Sequence, residues 1–212
     1  RIRYTTSHPI DFSKDLIEIH KESDKLMPLI HLPVQSGSNK ILKSMNRKHT
    51  SEEYLKLVEK LKRVNPKIKF SSDFIIGYPG ENENDFRDSL KLLKEVEFIN
   101  TFSFIFSPRP GTPAFKMKKV NNSISKERLN IFQKKAEEIK LKYKKSLFNK
   151  KTFVLFENKM QNKKEFFGRD EYSNSVIINT SENLKGKIKE VFISGGNQNT
   201  LYGEINKNIY AA

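Results

Sequence analysis

Three segments of this chain place polar residues directly after an apolar, strand-like run. The first reaches Gln35, the second contains Asp73 and Gly77, and the third contains Arg109. Parallel α/β folds bind ligands at the carboxyl ends of their strands, so these residues are candidates for one shared site. A carboxylate such as Asp73 among apolar neighbours is costly to bury unless it is hydrogen-bonded or solvated. Because Gly77 allows the backbone to approach a flat ligand closely, the pattern predicts a binding site for such a ligand.

Each of these residues also has a purely structural explanation when it is taken alone. A single Asp in a strand is more often an edge or capping residue, and an isolated Gln or Arg at the start of a loop carries little information. Their occurrence in order, at the ends of successive strands, is what favours a binding site.

Composition excludes several kinds of chemistry. The 212 residues include no Cys, which rules out disulfides, thiolate zinc sites, cysteine nucleophiles and any iron–sulfur cluster held by this chain alone. The four His residues lack the spacing of a metal site on one helix face, and we expect no protein-bound metal. The sequence has no P-loop and no nucleophile elbow.

The chain is strongly basic, with 40 Lys+Arg against 25 Asp+Glu and a net charge of +15. Residues 116–166 hold 16 Lys+Arg and 5 Asp+Glu, so this quarter of the chain carries +11 of the total. A field of that sign favours a nucleic acid as the partner. A solvated helix face is the alternative explanation for a lysine-rich segment.

Periodicity divides the chain into two parts. In the first, β-rich runs alternate with helical patterns, which is typical of βαβ units and a parallel sheet. The runs lie at 2–6, 29–35, 68–78 and 101–107, and the helical patterns lie at 12–21, 52–64 and 83–96. The second part has a basic helix at 125–148 and then only short strands, which predict a small β-barrel. These strands lie at 152–157, 166–169, 176–179, 187–193 and 201–205.

Five segments in register resemble the motifs of the radical S-adenosylmethionine (SAM) methylthiotransferases, in the order and at the spacing of that family. They read RIRYTTSHP, HLPVQSGS, ILKSMNRKHT, SSDFIIGYPGE and FSFIFSPRPGTPA. The tail, with FGRDEYSNSV and LYGEI, resembles the TRAM domain that ends these enzymes. The resemblance covers essentially the whole chain.

This resemblance implies an α/β fold: part of a radical SAM (TIM-like) barrel of parallel βα units, followed by a small all-β TRAM barrel. We expect the partial barrel and its closing basic helix to span 1–146 and the RNA-binding barrel to span 147–210. The family barrel has six strands, and four are expected here. Since the chain begins with Arg1 inside a strand-like run, we expect a piece of a longer protein whose N-terminal part is its partner.

The resemblance also implies a cofactor site. Gln35 and Asp73 are expected to hydrogen-bond the ribose hydroxyls of SAM, and Arg47 to pair with its methionine carboxylate. The backbone from Ile75 to Gly77 is expected to read the adenine edge. The family holds two 4Fe-4S clusters through Cys residues that are absent here, so this chain alone is predicted to be inactive.

RNA contacts are expected mainly in the terminal barrel. Lys163, Lys164 and Arg169 are the candidates for phosphate contacts. Aromatic side chains beside them are candidates for stacking on unpaired bases, with packing in the barrel core as the alternative for at least one Phe. These aromatic residues are Phe166, Phe167 and Tyr172. On the rim of the first part, Arg109 and Thr112 are expected to meet the substrate or the second domain.

The activity implied by the resemblance is the addition of a methylthio group to carbon 2 of an isopentenylated adenosine next to the anticodon of tRNA. The expected partner is therefore the anticodon stem-loop, in the cytoplasm and without a membrane. Two alternatives stay open: a related methylthiotransferase acting on threonylcarbamoyl-adenosine or a ribosomal protein, and a non-catalytic RNA-binding module.

Overall fold

The computed structural model describes residues 1–5, 8–161 and 164–205. The chain divides into two compact units, with the division between Ile139 and Lys140. The boundary expected after residue 146 stays a prediction. In the described ranges, no helix has both the length and the apolar character needed to cross a membrane.

Unit 1 contains a parallel sheet with the strand order β1-β2-β3. The strands are β1 (Leu29–His31), β2 (Lys69–Ile76) and β3 (Asn100–Ile105). The helices of this unit are α1 (Lys14–Glu22), α2 (Asn39–Ser44), α3 (Ser51–Val64), α4 (Glu83–Val96) and most of α5 (Asn122–Lys145). Two short 3-10 helices lie at Pro9–Asp11 and Pro113–Lys116.

The parallel sheet has three strands in the described part of the chain, not the four that were expected. Among residues 1–5 only single bridges form, from Ile2 to Leu26 and from Thr5 to His31. The predicted strand at 2–6 is therefore wrong as a regular strand over these residues, and its last residue lies outside the described ranges. The predicted strand at 29–35 ends at His31 because Pro33, which has no N–H to donate, interrupts the ladder.

Helix boundaries follow the capping residues. Thr50 and Glu53 form a complete capping box at the start of α3. Asn82 caps α4 and also forms a box, with Asp85 at its third position. The short helix α2, capped by Ser38, was not predicted.

The core of unit 1 lies between one face of the sheet and the helices. Phe74 packs against Phe98 and Phe132, with ring centroids 5.7 and 4.7 Å apart. All three side chains are fully buried. Helix α5 therefore contributes to this core through Phe132.

Unit 2 is a closed five-stranded barrel with the order β4-β5-β6-β8-β7, which confirms the predicted small β-barrel. Its strands are β4 (Lys151–Lys159), β5 (Glu165–Arg169), β6 (Ser175–Asn179), β7 (Ile188–Gly196) and β8 (Thr200–Glu204). Gly168 and Gly203 lie where strands approach closely, because a Cβ at either position would come within 2.5 Å of a backbone oxygen. The barrel interior is apolar, with Val154, Phe156 and Val191 fully buried.

Candidate functional site

The register of the parallel sheet collects the predicted residues on one face. Asp73 is paired with Phe102 and Ile75 with Phe104, and paired residues of neighbouring strands point to the same side. Phe102 is 45% exposed and Phe104 is 60% exposed. We call this surface, opposite the helix-covered core, the open face. It combines two exposed aromatic rings with a carboxylate.

A histidine that was not predicted as a site residue lies beside Asp73. His31 Nε2 is 3.5 Å from Asp73 Oδ2, and His31 Nδ1 is 3.0 Å from the hydroxyl of Ser71. The edge of the imidazole meets the Phe102 ring at a centroid distance of 6.0 Å. Ser71 is buried, so it orients the imidazole and is not a nucleophile. His31 could have been identified only from its pairing with Ser71 on the neighbouring strand, which lies 40 residues away in the sequence.

Gln35 returns to the sheet after β1 has ended. Its N–H donates to the carbonyl of Asp73, and its own carbonyl accepts from the N–H of Ile75, both at 2.9 Å. Its backbone has φ = 76°, in the left-handed region that non-glycine residues seldom adopt. Such strained residues cluster at binding and catalytic sites. The backbone of Gln35 is thus fixed directly beside Asp73.

Arg47 reaches the same region from the loop after α2. The N–H of Arg47 donates to the carbonyl of Leu42 at 2.9 Å, and the preceding Asn46 turns the chain with φ = 58°. Burial lowers the pKa of the Arg47 guanidinium, and the negative charge of Asp73 acts in the opposite direction. The charges of Arg47 and Asp73 therefore interact, and the backbone of Gln35 is hydrogen-bonded to that of Asp73. This set can bind a ligand with hydroxyl groups and a carboxylate.

Glycine is required at position 77 for a reason that differs from the expected one. Its φ is 71°, and a Cβ here would lie 2.3 Å from the hydroxyl oxygen of Ser125 on α5. Its N–H donates to Glu81 Oε1 at 3.0 Å. The close approach inferred for a flat ligand is thus made to the chain itself, and this amide is not available to an adenine edge. The role of Ile75 stays a prediction.

Arg109 and Thr112 form a turn after β3. The carbonyl of Arg109 accepts from the N–H of Thr112 at 3.2 Å and from its hydroxyl at 2.7 Å. Both residues are exposed. Their predicted contact with the substrate stays a prediction.

The predicted phosphate contacts of the barrel are partly engaged with protein groups. Lys164 is exposed, and Lys163 lies outside the described residues. Arg169 Nε is 3.3 Å from Glu157 Oε1, and its guanidinium lies 5.2 Å from the centroid of Phe167. The predicted phosphate contact of Arg169 stays a prediction, and such a contact would have to replace the one with Glu157.

Of the three aromatic residues considered for stacking, Phe166 takes the alternative place in the barrel core. Phe166 is 3% exposed and belongs to the barrel core, because Phe166 and Gly168 point inwards while Phe167 and Arg169 alternate outwards. Tyr172 packs edge-on against Tyr143 at 6.0 Å, and burial raises its pKa to about 12. Phe167 keeps an outward position.

His49 makes the stability of unit 1 sensitive to acid. It is 6% exposed, and in the described ranges neither ring nitrogen has a hydrogen-bond partner. Burial, followed by the charges of His8 and Arg47, lowers its pKa to about 4. An unfolded imidazole titrates near 6.5, so between pH 6.5 and 4 the unfolded state binds more protons and stability falls as the pH falls.

We expect His49→Phe to reduce this loss by up to about 3 kcal/mol between pH 7 and pH 4. Thermal unfolding of the wild type and the variant across that range measures the difference. His20→Phe is the matched control, since burial also lowers the pKa of His20 but by less. Identical pH dependence in the wild type and His49→Phe would contradict this assignment.

The side chains described here supply no metal centre. The described residues contain no group of three or more His, Asp or Glu that could hold a metal ion, and the sequence contains no Cys. Asp73 on the open face is a hydrogen-bond acceptor that can bind hydroxyl groups, and the roles of Gln35 and Arg47 toward SAM stay predictions.

The chain is similar to known proteins along nearly its whole length. Residues 1–93 match the family model of the radical SAM superfamily. Two curated proteins named tRNA-2-methylthio-N(6)-dimethylallyladenosine synthase are similar over nearly the whole chain. The protein of Pelagibacter ubique (strain HTCC1062) is 57% identical over 205 residues, which cover 97% of this chain and 46% of that protein. The protein of Wolbachia pipientis subsp. Culex pipiens (strain wPip) is 45% identical over 206 residues, covering 96% and 47%.

These matches confirm the predicted resemblance to the radical SAM methylthiotransferases. The chain spans about half the length of the curated relatives it matches. Among solved structures, the radical SAM enzyme coproporphyrinogen III oxidase (HemN) from Escherichia coli gives a TM-score of 0.49 at 16% identity, over 60% of this chain and 31% of that one.

Proposed function

We propose that this chain is the C-terminal part of a tRNA methylthiotransferase that modifies carbon 2 of an isopentenylated adenosine next to the anticodon. The observation that carries the proposal is the 57% identity to a protein of that name across 97% of the chain. The net charge of +15 agrees with a tRNA substrate and disfavours a ribosomal protein. We refer to the longer protein, of which this chain would be a part, as the complete protein.

In this proposal the open face binds SAM. Asp73 and Gln35 accept hydrogen bonds from the ribose hydroxyls, and the Arg47 guanidinium pairs with the methionine carboxylate. SAM, together with iron–sulfur clusters held elsewhere in the complete protein, supplies the radical chemistry that a non-acidic C–H bond requires. The chain's own residues orient SAM and, with Phe102 and Phe104, provide an apolar wall against water.

A non-catalytic RNA-binding module is the second candidate, and only the absence of Cys favours it. Product analysis separates the two. The complete protein, with its clusters reconstituted, is incubated with SAM and isopentenylated tRNA, and the nucleosides are then separated by mass. We expect the 2-methylthio product in the wild type. Binding of tRNA with no product in the reconstituted protein would support the module.

The cations of the barrel are expected to contribute to the salt dependence of tRNA binding. Replacing Lys163, Lys164 and Arg169 with Ala in the complete protein should lower tRNA affinity and reduce the slope of log K against log salt by about one to two. The reduction should stay below one per residue because Arg169 is paired with Glu157. Titration of labelled tRNA at several salt concentrations measures the slope.

The matched control removes three exposed lysines from helices of unit 1, namely Lys14, Lys21 and Lys91. This control should leave the slope near that of the wild type. An unchanged slope in the barrel variant would place the RNA-binding cations elsewhere.

A further inference from the structure

A pocket of about 300 Å³ lies outside the site described above, between the N-terminal segment with α1 and the helix α3. Its volume is at the lower end of the range for small-ligand sites. One wall includes Ile10, Phe12 and Ile17, and the other includes Tyr54 and Leu57. Phe12 and Tyr54 form a largely buried aromatic base beneath it. The interior can therefore accept a flat, partly apolar group.

Three lysines stand at the α3 side of this pocket. Lys48, Lys56 and Lys60 are all exposed, and in the part of the chain that the structure describes none of them forms an ion pair. The one acid that lines the pocket, Glu53, is engaged with the helix cap, since its carboxylate accepts from the N–H of Thr50 at 2.8 Å. Because the three lysines outnumber this acid, the mouth of the pocket carries a net positive charge.

On the pocket side of α3 two like charges lie one turn apart, whereas elsewhere on the helix two opposite charges have the same spacing. Glu59 and Arg63 lie one turn apart and pair at 3.8 Å. Lys56 and Lys60 have the same spacing but carry like charges, which is an unfavourable arrangement in an isolated helix. A bound anion between them would turn this repulsion into attraction.

His49 adds a hydrogen-bonding group to the pocket lining. It is more than nine-tenths buried, and neither of its nitrogens has a partner among the described residues. A buried polar group without a partner carries a free-energy cost that a ligand with a matching donor or acceptor relieves. Charge, an apolar interior and a hydrogen-bonding group together fit a nucleoside phosphate.

We propose that this pocket binds one unpaired nucleotide of the RNA substrate, with its phosphate at Lys56 and Lys60 and its base between the apolar walls near His49. The inference rests on the proposed function, because it takes RNA as the substrate. A free nucleoside monophosphate has the same chemistry as a nucleotide of RNA, and the experiment below separates the two sources.

The first arm measures tRNA binding to the complete protein as a function of salt. Replacing Lys56 and Lys60 together with Ala should weaken binding about threefold to tenfold and lower the salt slope by about one to two. The matched control is Lys91→Ala with Lys94→Ala, which removes the same charge from the exposed surface of α4. Equal effects of the two double variants would overturn the proposal, because they would reflect net charge alone.

The second arm uses His49→Phe, which keeps a ring of similar size. Since burial keeps His49 neutral at pH 7.5, this variant should weaken tRNA binding while leaving the salt slope unchanged. If His49→Phe binds tRNA as tightly as the wild type, the proposed position of the base beside His49 is overturned. A thermal melt of each variant shows whether the fold is retained, and the double lysine variant stands as the test if His49→Phe does not fold.

The third arm titrates adenosine monophosphate at constant ionic strength, with inorganic phosphate as the reference. Competition with tRNA by the nucleotide, but not by phosphate, supports the proposal. If the nucleotide binds and loses affinity in the double lysine variant while tRNA binding is unaffected, the pocket serves a free nucleotide and the RNA assignment is overturned. Failure of the wild type to bind tRNA at all would instead overturn the proposed function.

Discussion

Asp73→Ala in the complete protein is expected to weaken SAM binding by about 1–3 kcal/mol, or about 5-fold to 150-fold. The carboxylate is 31% exposed on the open face and lies 3.5 Å from His31, which limits its orientations. In our proposal it accepts a ribose hydroxyl, and Ala removes that acceptor from a partly desolvated site. Calorimetric titration of SAM into the wild type and the variant measures the difference.

Asp88→Ala is the matched control, since Asp88 is an exposed carboxylate on α4. It should bind SAM like the wild type. His31→Leu should weaken binding in the same direction as Asp73→Ala but less, because His31 only orients the carboxylate. Unchanged affinity in Asp73→Ala would remove Asp73 from the site.

Arg128→Ala is expected to destabilise unit 1 by about 3–5 kcal/mol. Arg128 Nη1 lies 3.0 Å from Glu81 Oε1, and Glu81 and Arg128 are 5% and 9% exposed. The same Glu81 oxygen accepts from the N–H of Gly77 at 3.0 Å. Removing the guanidinium leaves a buried carboxylate without its cation in the loop that follows β2, the strand that carries Asp73. Urea unfolding of the complete protein measures the loss.

The destabilisation caused by Arg128→Ala should also depend on pH, which provides a second measurement. Burial raises the pKa of Glu81, and without Arg128 the pKa should rise further. The unpaired carboxylate can then take up a proton, so the destabilisation should diminish as the pH falls. The double variant Glu81→Gln with Arg128→Met, which buries no charge, should lose much less stability than Arg128→Ala. Equal losses in the single and double variants would contradict the account of this pair.

Local sequence chemistry predicted the elements that depend on neighbouring residues. The helical patterns at 52–64 and 83–96 depend on residues three or four apart, and α3 and α4 are present there. The barrel strands were predicted in number and approximate position because short alternating runs between polar turns specify them. The strand at 2–6 failed because pairing there depends on partners such as Leu26 and His31, which are distant in sequence.

The site shows the same division between local and long-range information. Motif order identified Gln35, Arg47 and Asp73, but only the fold brings the loop after α2 to the strand that carries Asp73. His31 was missed because its contacts with Ser71 and Asp73 arise from strand register. Core packing was expected as the alternative for at least one of Phe166 and Phe167, because alternation indicates that they face opposite ways but not which one faces the core. The close approach of Gly168 to Leu155 fixes that choice.

The most direct test is a crystal structure of the complete protein with SAM bound. The account predicts the ribose hydroxyls of SAM within hydrogen-bond distance of Asp73 and Gln35, and its carboxylate paired with Arg47. SAM bound with these three side chains directed into separate surroundings would contradict it.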